Sequence, residues 1–160
     1  MSDLTDVIVE DDRWETLGLA NLAEKAGWAA LKAAGVAVDG REICVMACND
    51  ARIAELNTEF RNKQSATNVL SWPAYHLTPR TAGQIPSDGG DSFGDIALAY
   101  ETCMREALAE NLPPADHVTH LIVHGCLHLL GYDHESDQDA DVMEGLEIKA
   151  LASLGISNPY

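Results

Sequence analysis

The chain has 160 residues, 46% of them apolar, which suits one folded domain with a buried core and excludes disorder. Acids outnumber bases 26 to 10, a net charge of −16, and a field of that sign repels a polyanion, so extended groove binding of nucleic acid is disfavoured. No apolar run can span a bilayer, and MSDLTDVIVEDD carries acids where a secretory leader needs bases, so a cytoplasmic protein with no membrane partner is expected.

Val7–Val9 reads as a first short strand. From Trp14 to Ala34, residues Leu17, Leu22, Ala26, Ala29, Ala30 and Ala33 recur at helical spacing, and Gly35 stops the helix. Arg41–Cys48 reads as a strand, with Ile43 and Val45 on one face and Cys44, Met46 and Cys48 on the other. Asn49 or Asp50 caps a helix to about Asn62 that buries Ile53, Leu56 and Phe60. Asn68–Trp72 is a short strand ended by Pro73. The Gly-, Pro-, Ser- and Thr-rich stretch 74–91 is expected as a surface loop, mobile unless a partner orders it.

Asp95–Tyr100 carries the strongest strand pattern, and a helix over Glu101–Glu110 follows. Ala115–Leu130 forms a strongly apolar helix stopped by Gly131. The last helix, Ser136–Leu154, is amphipathic through Val142, Met143, Leu146, Ala150 and Leu154, with Gly155 as C-cap. Strands and helices mix without regular alternation. The expected class is α+β: one domain over residues 1–160, with a small mixed sheet of about four strands in one layer and helices in another. Cys44, Cys48, Cys103 and Cys126 show no CxxC pairing and lie in apolar segments, so they read as buried free thiols.

Five of the six histidines fall between residues 117 and 134: His117, His120, His124, His128 and His134. Residues four apart on a helix share a face, so two such histidines can each turn a ring nitrogen to one ion at about 2.0–2.1 Å. Residues eight apart rise about 12 Å, which keeps His120 and His128 from sharing an ion. Gly131 permits a left-handed turn that folds His134 back toward His128. His124, His128 and His134 are therefore the expected metal ligands, at the C-terminal end of a buried helix, with a fourth position left for water. His120 lies one turn below His124 and is a candidate to touch a ligand ring from behind. His76 and His117 read as surface residues. Asp133 either orients a ligand ring or closes the turn, and Asp95 reads as structural.

The spacing H-x3-H-x2-G-x2-H is that of the metzincin proteases, whose general base is a glutamate after the first histidine. Here that position is Gly125, which argues against peptide hydrolysis by that route.

The segment H-G-C-L-H-L-L-G-Y-D-H, from His124 to His134, closely resembles the HGxLHLxGYDH signature of the bacterial YbeY-type endoribonucleases and matches every fixed position. The resemblance takes in Leu56-Asn57, Phe60-Arg61, Thr67, Val69-Leu70-Ser71 and Gly94-Asp95-Ile96 upstream. Downstream it includes Met143, Glu144, Leu154-Gly155 and Asn158-Pro159-Tyr160, so it covers roughly residues 40–160. Asn68 stands where that family usually has Asp, Trp72 replaces Phe, and the stretch 74–91 is longer than usual.

The resemblance implies a single-strand-directed, metal-dependent endoribonuclease that holds one zinc per chain, or another divalent transition metal. Its implied role is rRNA maturation, notably at the small-subunit 3′ end, with a part in ribosome quality control. It also implies a catalytic Arg61, since a guanidinium can meet two phosphate oxygens at once. On the residues alone, Arg61 reads first as a helix end that is solvated or paired with one of the acids, and Lys63 adds local positive charge. Either a metal-activated water or a metal-positioned 2′-OH attacks the phosphodiester, and both stay open. The partners implied are ribosomal RNA, bound weakly by the isolated chain, and the ribosome or its associated proteins, with no DNA. A metalloprotease or small-molecule hydrolase is the rival class, separated by the missing glutamate. A ribosome assembly factor with a structural metal is the third, and a fourth protein ligand would mark it.

Overall fold

Alternating apolar residues build four strands: β1 (Thr5–Val9), β2 (Glu42–Cys48), β3 (Val69–Pro73) and β4 (Ser92–Ala99). They form one mixed sheet in the order β1-β2-β4-β3, parallel except that β3 runs antiparallel to β4. The helices are α1 (Leu19–Ala34), α2 (Asp50–Arg61), α3 (Tyr100–Ala109), α4 (Pro114–Leu129) and α5 (Asp137–Ser153). The computed structural model describes the backbone of residues 3–61 and 67–160, and the side chains of residues 3–59 and 67–160. The expected α+β class with four mixed strands holds.

The pleat sends Ile43, Val45 and Ala47 of β2 and Ile96 and Leu98 of β4 to one face, where they meet α1, α4 and α5 in the main core. Met46, Cys48, Leu70, Ala97 and Ala99 point to the other face, where Ile53 and Leu56 of α2 cover one end. Helices thus flank both faces, one layer more than the sequence pattern suggested. α4 is buried over most of its surface because it runs along β3 and β4 with α1, α3 and α5 beside it. Pro114 suits its first turn, where a backbone N–H would have no helical partner.

Several boundaries differ from the expectation for physical reasons. The helix read from Trp14 is interrupted: Asp12–Leu17 winds as a 3₁₀ helix capped by Asp11, and Gly18 at φ 63° turns the chain before α1 begins. Trp14 is fully buried, and its indole N–H donates to the Cys48 carbonyl at 2.7 Å. β4 begins at Ser92, with a register irregularity opposite Glu42 and Ile43. On α5, Val142 is 56% exposed rather than in the core, because the helix turns Met143, Glu147, Ala150 and Leu151 inward. Cys48, Cys103 and Cys126 are buried and Cys44 half-buried, all as free thiols. Burial pushes the first three up to about 12, which leaves them protonated and unreactive.

The stretch 74–91 contains no strand or helix, but it is pinned. Arg41, only 3% exposed, donates to the Tyr75 hydroxyl at 3.0 Å, the Pro86 carbonyl at 2.6 Å and Asp88 at 3.1 Å. The Gly83 N–H donates to the Leu130 carbonyl at 2.8 Å, which ties the stretch to the end of α4. No helix among the described residues is long and apolar enough to cross a membrane.

Candidate metal centre

The last two turns of α4 bring His124 and His128 onto one face, four residues apart. Gly131 then adopts φ 101°, and a Cβ there would meet the Leu77 Cβ at 2.6 Å. Only glycine lets the chain turn so tightly beneath the 74–91 stretch and return His134 to the helix end. The ring centroids of His124 and His134 lie 5.4 Å apart, and those of His128 and His134 5.2 Å. One nitrogen from each ring falls within 4.8 Å of the other two, a spacing that fits one shared ion. Among the described residues, no fourth His, Cys or carboxylate joins the group.

Hydrogen bonding assigns the tautomers. His124 Nδ1 lies 3.0 Å from Glu147 Oε2, and a carboxylate only accepts, so Nδ1 carries the proton. His128 Nδ1 donates to the Tyr132 carbonyl at 2.9 Å for the same reason. The two Nε2 atoms face each other across 3.0 Å. Burial first, then the neighbouring His124, push His128 down to about 4, so its ring is neutral at physiological pH. A proton or a cation can bridge the two facing Nε2 atoms, and three convergent imidazoles suit a borderline divalent metal.

Glu147 organises the rear of the cluster and was missed in the sequence. It is 1% exposed on α5 and accepts from His124 through Oε2, and from His120 Nε2 and the Tyr160 hydroxyl through Oε1. Burial penalises its charge, but the hydrogen bonds from His120, His124 and Tyr160 outweigh that and hold it down at about 2. The available signal was an acid on the inward face of a helix, in register with Met143, Ala150 and Leu151. A carboxylate behind a ligating imidazole fixes its orientation and raises its basicity. His120, expected behind a ligand ring, instead shares this carboxylate with His124.

The histidines open into a cleft of about 980 Å³, walled by the 74–91 stretch on one side and Tyr160 on another. Its described lining contains Asp133 and Glu135 but no lysine or arginine. Gly125 faces β4, and a Cβ there would meet the Ile96 Cδ1 at 3.1 Å. A glutamate at this position would have to displace the core.

The other candidates fall as follows. Arg61 is the last residue of α2, and its side chain, with Lys63, lies outside the described residues. Asp133 accepts from the His134 N–H at 2.8 Å and so closes the turn. Asp95 is exposed on the sheet face opposite α4, and His76 is exposed as expected. His117, read as a surface residue, is only 6% exposed and pairs with Glu106 at 3.0 Å, because α3 packs over this end of α4. Asn68 donates through Nδ2 to the same Glu106 at 3.0 Å, a contact that an aspartate would replace with two opposed carboxylates.

A mixed sheet backed by helices, with three convergent histidines at a helix end and a cleft above them, defines an α+β protein with a candidate metal centre of the open type. The chain belongs to the endoribonuclease YbeY family, whose model matches residues 7–155. It is 50% identical over 159 residues to Endoribonuclease YbeY of Paracoccus denitrificans, covering 99% of this chain and 90% of that one. Against Endoribonuclease YbeY of Ruegeria pomeroyi it is 52% identical over 161 residues, covering 97% and 96%. Its fold is similar to the solution structure of TM1509 from Thermotoga maritima, with a TM-score of 0.56 and 22% identity over 94% of this chain and 91% of that one.

Proposed function

We propose that residues 1–160 act as one metal-dependent endoribonuclease domain in rRNA maturation, at the 3′ end of small-subunit rRNA, and in ribosome quality control. The observation that carries this reading is the convergence of one ring nitrogen each from His124, His128 and His134 within 4.8 Å, with the Nδ1 atoms of His124 and His128 committed to Glu147 and the Tyr132 carbonyl. Family membership over residues 7–155 supports RNA as the substrate.

His124, His128 and His134 would hold one divalent ion, zinc in this proposal. Such an ion lowers the pKa of a water toward about 7 and polarises a phosphoryl oxygen. Glu147 keeps the His124 ring turned so that Nε2 faces the cluster, and the Tyr132 carbonyl does the same for His128. Arg61 would meet the charge that develops on the phosphate oxygens. Gly125 against Ile96 speaks against a protease, and the absence of a fourth ligand among the described residues speaks against a purely structural metal.

With a net charge of −16 and an uncharged-to-acidic described cleft, the isolated chain would bind generic RNA weakly and act in the cytoplasm on RNA presented by the ribosome or its associated proteins. The test is cleavage of a small-subunit rRNA 3′ precursor by zinc-loaded protein, with and without a chelator. Cleavage that the chelator stops is the expected result. In the same assay Arg61→Ala keeps its metal but loses about a hundredfold to a thousandfold in rate, and Arg61→Lys recovers only part. An intact precursor, or cleavage that ignores the chelator, overturns the reading.

A further inference from the structure

Tyr160 is an unusually constrained residue for its exposure. It is 59% exposed and lines the cleft beside the histidines, yet three separate contacts fix it. Its hydroxyl donates to Glu147 Oε1 at 2.7 Å. Its ring meets His120 edge-to-face, with centroids 5.6 Å apart and planes at 89°. Its backbone N–H donates to the Asn158 side chain at 2.8 Å, which sets the turn that delivers it. An exposed tyrosine ordinarily samples several rotamers; this one is tied at its hydroxyl, its ring edge and its backbone while it lines the cleft.

The electrostatics of the cleft narrow the use of such a ring. Among the described lining residues there is no lysine or arginine, while Asp133 and Glu135 are present. A polyanion entering here gains nothing from phosphate pairing with those side chains. Base stacking does not depend on charge of that kind: every nucleobase has a π face, and aromatic platforms contribute to single-strand binding regardless of sequence. A pre-fixed ring also loses little conformational entropy when a base settles on it.

We propose that Tyr160 is the stacking platform for an unpaired nucleobase that flanks the phosphate held at the three histidines. The proposal rests on the endoribonuclease reading and adds a base-binding subsite to it: one intact base at the flanking position, taken with little preference among the four bases. A base stacked within a duplex cannot offer its face to the ring.

Two measurements test this. The first is fluorescence of a short single-stranded RNA carrying 2-aminopurine, titrated with zinc-loaded protein; stacking quenches the probe. Wild type and Tyr160→Phe are expected to quench it, and Tyr160→Ala is not. The second is cleavage of RNAs carrying one abasic site walked through the positions around the cut. Wild type loses about tenfold at one flanking abasic position, Tyr160→Ala loses about the same on intact RNA, and the two losses do not add. Tyr160→Phe separates stacking from support of Glu147, because it keeps the ring and removes the hydroxyl. If Tyr160→Phe falls as far as Tyr160→Ala, or if Tyr160→Ala quenches the probe as wild type does, the platform is wrong. If the probe is quenched through Tyr160 while no RNA is cut, the platform stands as a binding site and the endoribonuclease reading fails.

Discussion

His124 and His128 approach each other through Nε2 atoms 3.0 Å apart, and each ring has already given its Nδ1 proton to an acceptor on a different element. For His124 that acceptor is Glu147 of α5, and for His128 it is the Tyr132 carbonyl just past the end of α4. The orientation of the two rings is therefore set by groups outside the histidine cluster. Glu147→Gln replaces one accepting oxygen with a donating amide and leaves too few acceptors for His120, His124 and Tyr160. We predict a drop in zinc affinity of about tenfold to a hundredfold, read by competition against a chromophoric chelator. An unchanged affinity would remove Glu147 from the account.

Gly125 and Ile96 should behave as one packing unit. A Cβ at residue 125 falls 3.1 Å from the Ile96 Cδ1, which Ile96→Val deletes. Gly125→Ala removes helix-interior glycine, a gain of about 1 kcal/mol, but overpacks the contact at a cost of about 1–3 kcal/mol. The prediction is a net loss of stability in urea unfolding that Ile96→Val partly relieves, giving a coupling between the two changes. Additive effects would contradict the contact. Gly125→Glu is predicted to be less stable than Gly125→Ala and to hydrolyse no peptide.

Acid should loosen the join between β1 and α1. Glu24 accepts from the Leu4 and Thr5 N–H groups at 2.9 and 2.8 Å, from the Thr5 hydroxyl and from the Trp28 indole. Burial raises its pKa, but these hydrogen bonds outweigh that and hold the carboxyl below its usual 4.5. The folded state then binds fewer protons than the unfolded chain, so this contribution is present above pH 4.5 and drains as pH falls through the lower folded value. Glu24→Gln is predicted to cost about 1–3 kcal/mol at pH 7. Its deficit against wild type should shrink steadily below pH 4.5. Parallel stability curves down to acid pH would show that the carboxylate charge is irrelevant there.

The sequence made the three histidines legible because their placement is local: two share a helix face, and one glycine returns the third. Glu147 was not legible, because its partners His120 and His124 lie on another helix and an acid in an amphipathic pattern reads as solvated. The same pattern put Val142 in the core; the true phase of α5 is set by the need to turn Glu147 inward with Met143 and Leu151. His117 was read as surface for a similar reason, since Glu106 reaches it only when α3 packs on α4. Within the first helical pattern, apolar spacing ran on through Gly18, whose φ of 63° breaks the helix without disturbing the periodicity. Arg41 looked like the head of a strand, and only the fold reveals it as the buried tie for the 74–91 stretch.

The central claim is that one ion, held by His124, His128 and His134, is what makes this chain a nuclease. The most direct measurement is elemental analysis of wild type, His128→Ala and His120→Ala, with rRNA cleavage run on the same samples. Wild type is expected to hold close to one zinc per chain, and His128→Ala to lose both metal and cleavage, since it removes one of the three proposed ligands. In His120→Ala the metal is retained, because that ring contacts Glu147 rather than the cluster of ligand nitrogens. Stoichiometric metal with full cleavage in His128→Ala, or loss of the metal from His120→Ala alone, would contradict it.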